Sequence, residues 1–227
     1  MKARKSGFTL VELLVAIVIV SILSLLAFFG VRSAKERASA AVDANDMRNI
    51  WVGVQSFTAD NNGKLPTTMS GISPTYRRSA VTLSTVLAPY LGFEDATDGQ
   101  FMPVFAAASW QSATNNPTGP SLLVHQEIYV GKGKKWTGNP MRPSPSQFSF
   151  GYPGSRAPRT MAAVMGAMSY PADALMLSEI DRKHPEFKVS KPSWLADVPE
   201  NLAHGSYRLG LYWDGHVGKL DEDLKPK

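Results

Sequence analysis

The chain has 227 residues, 24 Lys and Arg against 19 Asp and Glu, a formal net charge of +5 and no cysteine. The lack of cysteine excludes a disulfide framework and any thiolate metal site, so stability has to come from packing. Three of the basic residues, Lys2, Arg4 and Lys5, precede the first apolar stretch; without them the charge falls from +5 to +2, and the basic balance is no argument for nucleic acid as a partner.

Gly7-Phe8-Thr9-Leu10-Val11-Glu12 follows these charges, and residues 13–31 are then uncharged and apolar. As a helix rising ~1.5 Å per residue, that run is ~28 Å long, close to the hydrocarbon thickness of a bilayer. The basic residues ahead of it hold the N-terminus in the cytoplasm and place the rest of the chain outside it. Glu12 lies at the edge of the span. An ionised side chain in hydrocarbon costs about 2.5–3.5 kcal/mol on insertion scales, so an acid at this depth predicts a partner charge rather than simple snorkelling. A secretory signal peptide would carry its cleavage site just after the apolar run. Ala38-Ser39-Ala40 has suitable residue types, but Lys35, Glu36 and Arg37 stand in between. An uncleaved anchor helix is the other alternative.

Residues 33–58 continue the helix, with no proline and no glycine before Gly53. Met47, Ile50, Trp51, Val54 and Phe57 form an apolar stripe at helical spacing that faces a sheet, with Asp43, Asp46 and Arg48 read as lying off it. Asn61-Asn62-Gly63 and then Pro66 supply the stop. A short helix is predicted over residues 81–91, closed by Gly92, with Pro89 late in it. Residues 101–107, 121–130, 147–152 and 174–180 read as strands, separated by Gly-, Pro-, Ser- and Asn-rich loops at 109–120 and 131–145. Residues 182–201 contain three prolines and read as an exposed loop. At the end, Tyr207, Leu209, Leu211 and Trp213 alternate with Arg208, Gly210 and Tyr212, and Asp214-Gly215 offers a two-residue turn into residues 216–220, an antiparallel hairpin.

Residues that carry chemistry are few. His204, Asp214 and His216 invite a metal or acid–base reading, with the hairpin turn bringing Asp214 and His216 together and His204 approaching from the preceding loop. An Asp in a D-G turn is also explained by local hydrogen bonding and tolerance of positive φ, and that reading is preferred. Glu179 and Asp181 at strand spacing form a conceivable glycosidase dyad, although two acids at a sheet edge are more simply a solvated face. There is no G-x-S-x-G elbow, no H-E-x-x-H and no phosphate loop, so no enzymatic activity is expected. Trp51 and Trp213 fall on apolar stripes and read as core rather than as a carbohydrate platform.

At residues 7–12 the sequence closely resembles the prepilin leader of type IV pilins and type II secretion pseudopilins. The resemblance implies cleavage after Gly7 by a membrane-embedded prepilin peptidase, N-methylation of Phe8 by the same enzyme, and pairing of Glu12 with the N-terminal amine of a neighbouring subunit during assembly. A carboxylate beside an amine in a low dielectric is a strong pair, which agrees with the electrostatic argument above. His204, followed by nine residues and then Asp214-Gly215, is similar to the C-terminal H-x9-DG signature of a large pilin-like subfamily. Asn62-Gly63…Pro66, residues 89–92, Pro171…Glu179 and residues 214–217 also resemble it in outline. At residues 105–109 the chain departs from the subfamily, with three alanines where Cys-Pro is common.

The implied architecture is an α+β pilin-like fold. It comprises a leader at 1–7, a transmembrane and assembly helix at 8–32, an amphipathic continuation at 33–62, and a mainly antiparallel β head at 63–227. The implied function is a structural subunit of a pilus or pseudopilus assembled into a helical filament, first of all in type II secretion; the alternatives are a surface type IV pilin for adhesion, motility or DNA uptake and, more distantly, a membrane-anchored extracytoplasmic enzyme or sugar-binding protein. Its partners would be the prepilin peptidase and methyltransferase, copies of itself and other pilin-like subunits, and an inner-membrane assembly platform. No cofactor is required; since some type II pseudopilins bind calcium late in the chain, Asp214, Asp221, Glu222 and Asp223 are the calcium candidates.

Overall fold

The computed structural model describes residues 10–107, 119–129, 146–168, 170–188 and 192–227. Helix α1 runs without a break over Leu10–Asp60. Its contacts divide the chain into a unit ending at Ser39 and a unit from Ala40 to Lys227. In the first unit the large apolar side chains from Leu10 to Val31 are all exposed. Among the described residues this is the helix long and apolar enough to cross a membrane.

In the second unit α1 turns one face inward. Met47, Ile50 and Val54 are buried, and Trp51 and Phe57 pack partly buried against the same core. Asp43 is buried as well, which corrects its placement off the stripe: it lies four residues before Met47, one helical turn away on the same face. The helix ends where the sequence says it should. Asn62 and Gly63 take φ of 54° and 74°, and the Gly63 amide donates to the Thr58 carbonyl at 2.7 Å.

The sheet is five-stranded and antiparallel, in the order β1 (Gly71–Ile72), β2 (Leu122–Val124), β5 (Leu175–Glu179), β6 (Arg208–Tyr212), β7 (Val217–Leu220). A separate pair joins β3 (Glu127–Tyr129) to β4 (Ser146–Phe148). One sheet face presents Leu122, Val124, Leu177, Leu209 and Leu211 to the core that holds α1. Trp213, which is fully buried, meets Trp51 of the helix edge-to-face at 6.4 Å. The arrangement is an α+β pilin-like one, a long N-terminal helix followed by an antiparallel sheet.

Helix α2 (Leu83–Leu87) is capped by Thr82 and passes into a 3-10 turn over Ala88–Leu91 that closes on Gly92 at φ 84°. Leu91 packs on Gly53 and Tyr90 meets Phe57 edge-to-face at 5.7 Å, so this turn docks on α1. Helix α3 (Met161–Ala167), started by a Thr160 cap, has no counterpart in the sequence reading. Three expected strands change. Residues 101–107 form an isolated bridge at Phe101 and a 3-10 turn at Pro103–Phe105, because Pro103 cannot donate to a ladder. Residues 121–130 split into β2 and β3, which belong to different sheets. Of residues 147–152, Gln147 and Phe148 lie in β4, which starts at Ser146. Expected loops at 109–120 and 131–145 fall almost entirely outside the described residues.

Of the supposed exposed loop at 182–201, the described residues 182–188 and 192–201 form a folded cover. Phe187 and Val198 are buried against Leu123 and Ile180 on the sheet face opposite α1, with Trp194 and Leu195 beside them. Arg182 staples the segment through the Val198 and Ala196 carbonyls at 2.9 and 2.8 Å and the Glu200 carboxylate at 2.9 Å. The hairpin connection is also wider than a two-residue turn, with residues 213–216 lying between β6 and β7.

Candidate functional site

Gly7 and Phe8 lie outside the described residues. Glu12 occupies the first turn of α1, where a carboxylate favours the positive end of the helix dipole, and it is exposed among apolar neighbours.

His204 joins neither Asp214 nor His216. Its Nε2 sits 3.3 Å from Oδ2 of Asp43 on α1 and 3.1 Å from Oε1 of Glu179 at the end of β5, and these side chains are 1–2% exposed. The Tyr207 ring stacks on the imidazole at 5.0 Å, and the other Glu179 oxygen accepts the Leu209 amide at 2.7 Å. Burial pulls the His204 pKa down, but the hydrogen bond and charge of Glu179, together with the charge of Asp43, outweigh it against Lys219. The result lies above the ordinary histidine value. A protonated His204 is therefore the cation that two buried carboxylates require.

Asp214 and Gly215 serve the same interface differently. Asp214 Oδ1 accepts the His216 amide at 3.1 Å and contacts His216 Nδ1 at 2.6 Å, the expected turn pairing. Gly215 takes φ 87°, and the Trp51 indole lies directly on it, 2.5 Å from where a Cβ would stand. Both ends of the H-x9-DG spacing thus meet α1, His204 through Asp43 and Gly215 through Trp51.

Glu179 and Asp181 are not a solvated pair: they are 1% and 0% exposed. The strand ends at Glu179, so the alternation that would set them on one face stops there. Asp181 instead takes two hydrogen bonds from Arg208, at 3.0 and 2.8 Å, and one from the Lys183 amide at 2.9 Å. Arg208 is itself fully buried and also donates to the carbonyls of Asp221 and Glu222 at 2.8 and 3.1 Å. Asp221 uses its side chain on the amides of Asp223 and Lys225, at 2.8 and 2.9 Å, and the Asp223 carboxylate lies 3.7 Å from Lys225.

A further network, absent from the sequence reading, lies on the sheet face away from α1. Ser178 Oγ lies 2.9 Å from His125 Nε2 and 3.2 Å from His184 Nε2, all three residues being buried. His184 Nδ1 accepts the Glu186 amide at 3.3 Å, so the neutral ring carries its proton on Nε2 and donates to Ser178. The Ser178 hydroxyl then donates to His125. Burial, reinforced by Arg208, lowers the His125 pKa to about 4; burial, the His125 charge and Arg208 also push His184 well below its ordinary value. No sequence signal marks this chain, because its three members are brought together by sheet pairing and not by spacing.

A family model for the prokaryotic N-terminal methylation motif matches residues 2–28. No curated protein and no solved structure matches the chain. The matched segment contains Gly7, Phe8 and Glu12 and the first part of α1. It supports a pilin-like subunit of a pilus or pseudopilus, anchored through its long apolar N-terminal helix, and bearers of this motif are structural subunits.

Proposed function

We propose that this chain is a prepilin of a type II secretion pseudopilus: cut after Gly7, N-methylated on Phe8, held in the inner membrane by α1 with its head in the periplasm, and extracted into a helical filament. The observation that supports this reading is the methylation motif running into an unbroken helix whose first part leaves every large apolar side chain exposed. Such a surface needs lipid or copies of itself, and in assembly the methylated amine of a neighbour pairs with Glu12 among these side chains. A head without cysteine, rich in loops, favours the secretion role over a surface type IV pilin for adhesion, motility or DNA uptake.

Mass spectrometry of the N-terminal peptide from native membranes tests processing: a peptide starting at N-methyl Phe8 is expected, and an intact Met1 in cells that contain the peptidase overturns the reading. Deletion then separates the roles. Loss of exoprotein release fits the pseudopilus, whereas intact secretion with loss of fibres or attachment identifies a surface pilin. Glu12→Ala should abolish assembly while leaving cleavage intact.

A further inference from the structure

Among the described residues, Asp43, Glu179 and His204 offer three ligand atoms that all lie within 4.8 Å of one another, from a helix, a strand and a loop. The two distances from His204 Nε2, 3.1 and 3.3 Å, are close to the about 3.3–3.4 Å edge of a tetrahedron whose centre lies ~2.0–2.1 Å from each ligand. We propose that Asp43, Glu179 and His204 form a structural zinc site that ties α1 to the sheet, a solvent oxygen completing the tetrahedron.

The charges favour a divalent ion. Two buried carboxylates and a neutral imidazole sum to the opposite of Zn²⁺. The donor set favours zinc over calcium, which takes six to eight oxygens and has little use for an imidazole. The surroundings hold the ligands in place, as outer-shell partners of a metal do. The Leu209 amide fixes one oxygen of Glu179 and turns the other to His204, and Tyr207 fixes the plane of the imidazole. Lys219 stands over the Tyr207 ring, its amine 4.4 Å from the ring centre. Gly205 and Ser206, next to His204, are exposed and give an ion a route in. The site is distinct from Asp214, Asp221, Glu222 and Asp223, and it does not depend on the pilin reading.

The test uses the full chain in detergent, stripped with a chelator and titrated with zinc chloride, then with cobalt chloride as a visible probe. One zinc per chain, a rise in the unfolding midpoint and tetrahedral cobalt absorption are expected. Asp43→Asn and His204→Gln should each lose that equivalent, while the surface double variant Asp214→Asn/His216→Asn should keep it. X-ray absorption of the zinc-loaded wild type should show one imidazole and otherwise oxygen ligands, a result that does not depend on any variant folding. No uptake by the wild type, uptake unchanged in Asp43→Asn and His204→Gln, or a zinc shell without imidazole overturns the proposal.

Discussion

Two buried histidine networks hang from consecutive residues of β5, and they hold opposite charge states. Glu179 faces α1 and meets His204, whose partners are two carboxylates; the protonated ring is favoured. Ser178 faces the other way and meets His125 and His184, whose partners are a hydroxyl, a backbone amide and the nearby charge of Arg208; the neutral rings are favoured. Burial acts in the same direction on both sides. What differs is the sign of the neighbouring charge, and the pleat of one strand is enough to separate the two environments.

The strongest way to break this contrast is to remove Arg208. It is buried against Asp181 and its charge helps keep His125 and His184 neutral. Arg208→Met leaves Asp181 buried without its cation and should destabilise the head by about 3–5 kcal/mol in denaturant titrations. In whatever fraction stays folded, the His125 imidazole resonances should titrate at higher pH than in the wild type. A His125 titration that does not move would remove Arg208 from the account.

The contrast also sets a stability profile with two limbs, read in chelator so that no metal competes for His204. On the acid side the unfolded chain takes up a proton on His125 near pH 6.5, while the folded chain resists until about pH 4. Stability should therefore fall as pH drops from about 6.5 to about 4, by about 3 kcal/mol from His125 alone. His184 adds to it in the same direction. On the alkaline side the sign reverses. The folded chain keeps the His204 proton above the unfolded value, so this contribution is complete below about pH 6.5 and is lost as pH rises through the raised folded pKa. His125→Gln should make the acid limb shallower and leave the alkaline limb unchanged, and a variant that weakens both would show that the two networks are coupled through the strand.

The helix side of this comparison was far more legible in the sequence than the other. Helical period and the Asn62-Gly63 stop place α1 and its end, and the alternation around Leu209 and Leu211 places β6, because both signals are local. Asp43 could have been found by extending the stripe one turn back from Met47. Its pairing with Glu179 and His204 could not, since the three come from positions far apart in the chain. The opposite face is harder still. Residues 182–201 look like a loop because prolines break their periodicity, yet Phe187 and Val198 carry a core of their own. Asp181 reads as part of a solvated face, and nothing local marks Arg208 as its buried partner, because their burial depends on that cover and on the carbonyls of residues 221 and 222.

Asp43→Asn sharpens the helix side. It keeps a polar group of the same shape one helical turn before Met47 but removes one of the two charges that raise the His204 pKa. The ion pair with His204 is lost while the Glu179 hydrogen bond to the same nitrogen remains, and a fall in stability near neutral pH in chelator is expected. The alkaline limb should also move to lower pH, since Glu179 alone then holds the proton. An acid limb unchanged in the same variant would confirm that the sheet insulates His125 from the helix.

The smallest of these effects separates docking by shape from docking by charge. Gly215 sits in the left-handed region at φ 87°, and Trp51 occupies the space a side chain would need. Gly215→Ala should cost about 1–2 kcal/mol for the backbone conformation, and the methyl must in addition push back the Trp51 indole, which is part of the helix side wall and not the end of a flexible chain. Trp51 stands edge-to-face on buried Trp213, so the displacement should appear as a change in near-ultraviolet circular dichroism. The substitution adds no charge and touches neither histidine network, so both limbs of the pH profile should keep their midpoints while the whole curve drops. A shift of the alkaline midpoint would mean that Trp51 and Asp43 move as one, and that the helix docks on the sheet as a rigid face whose charge and shape contacts cannot be changed separately.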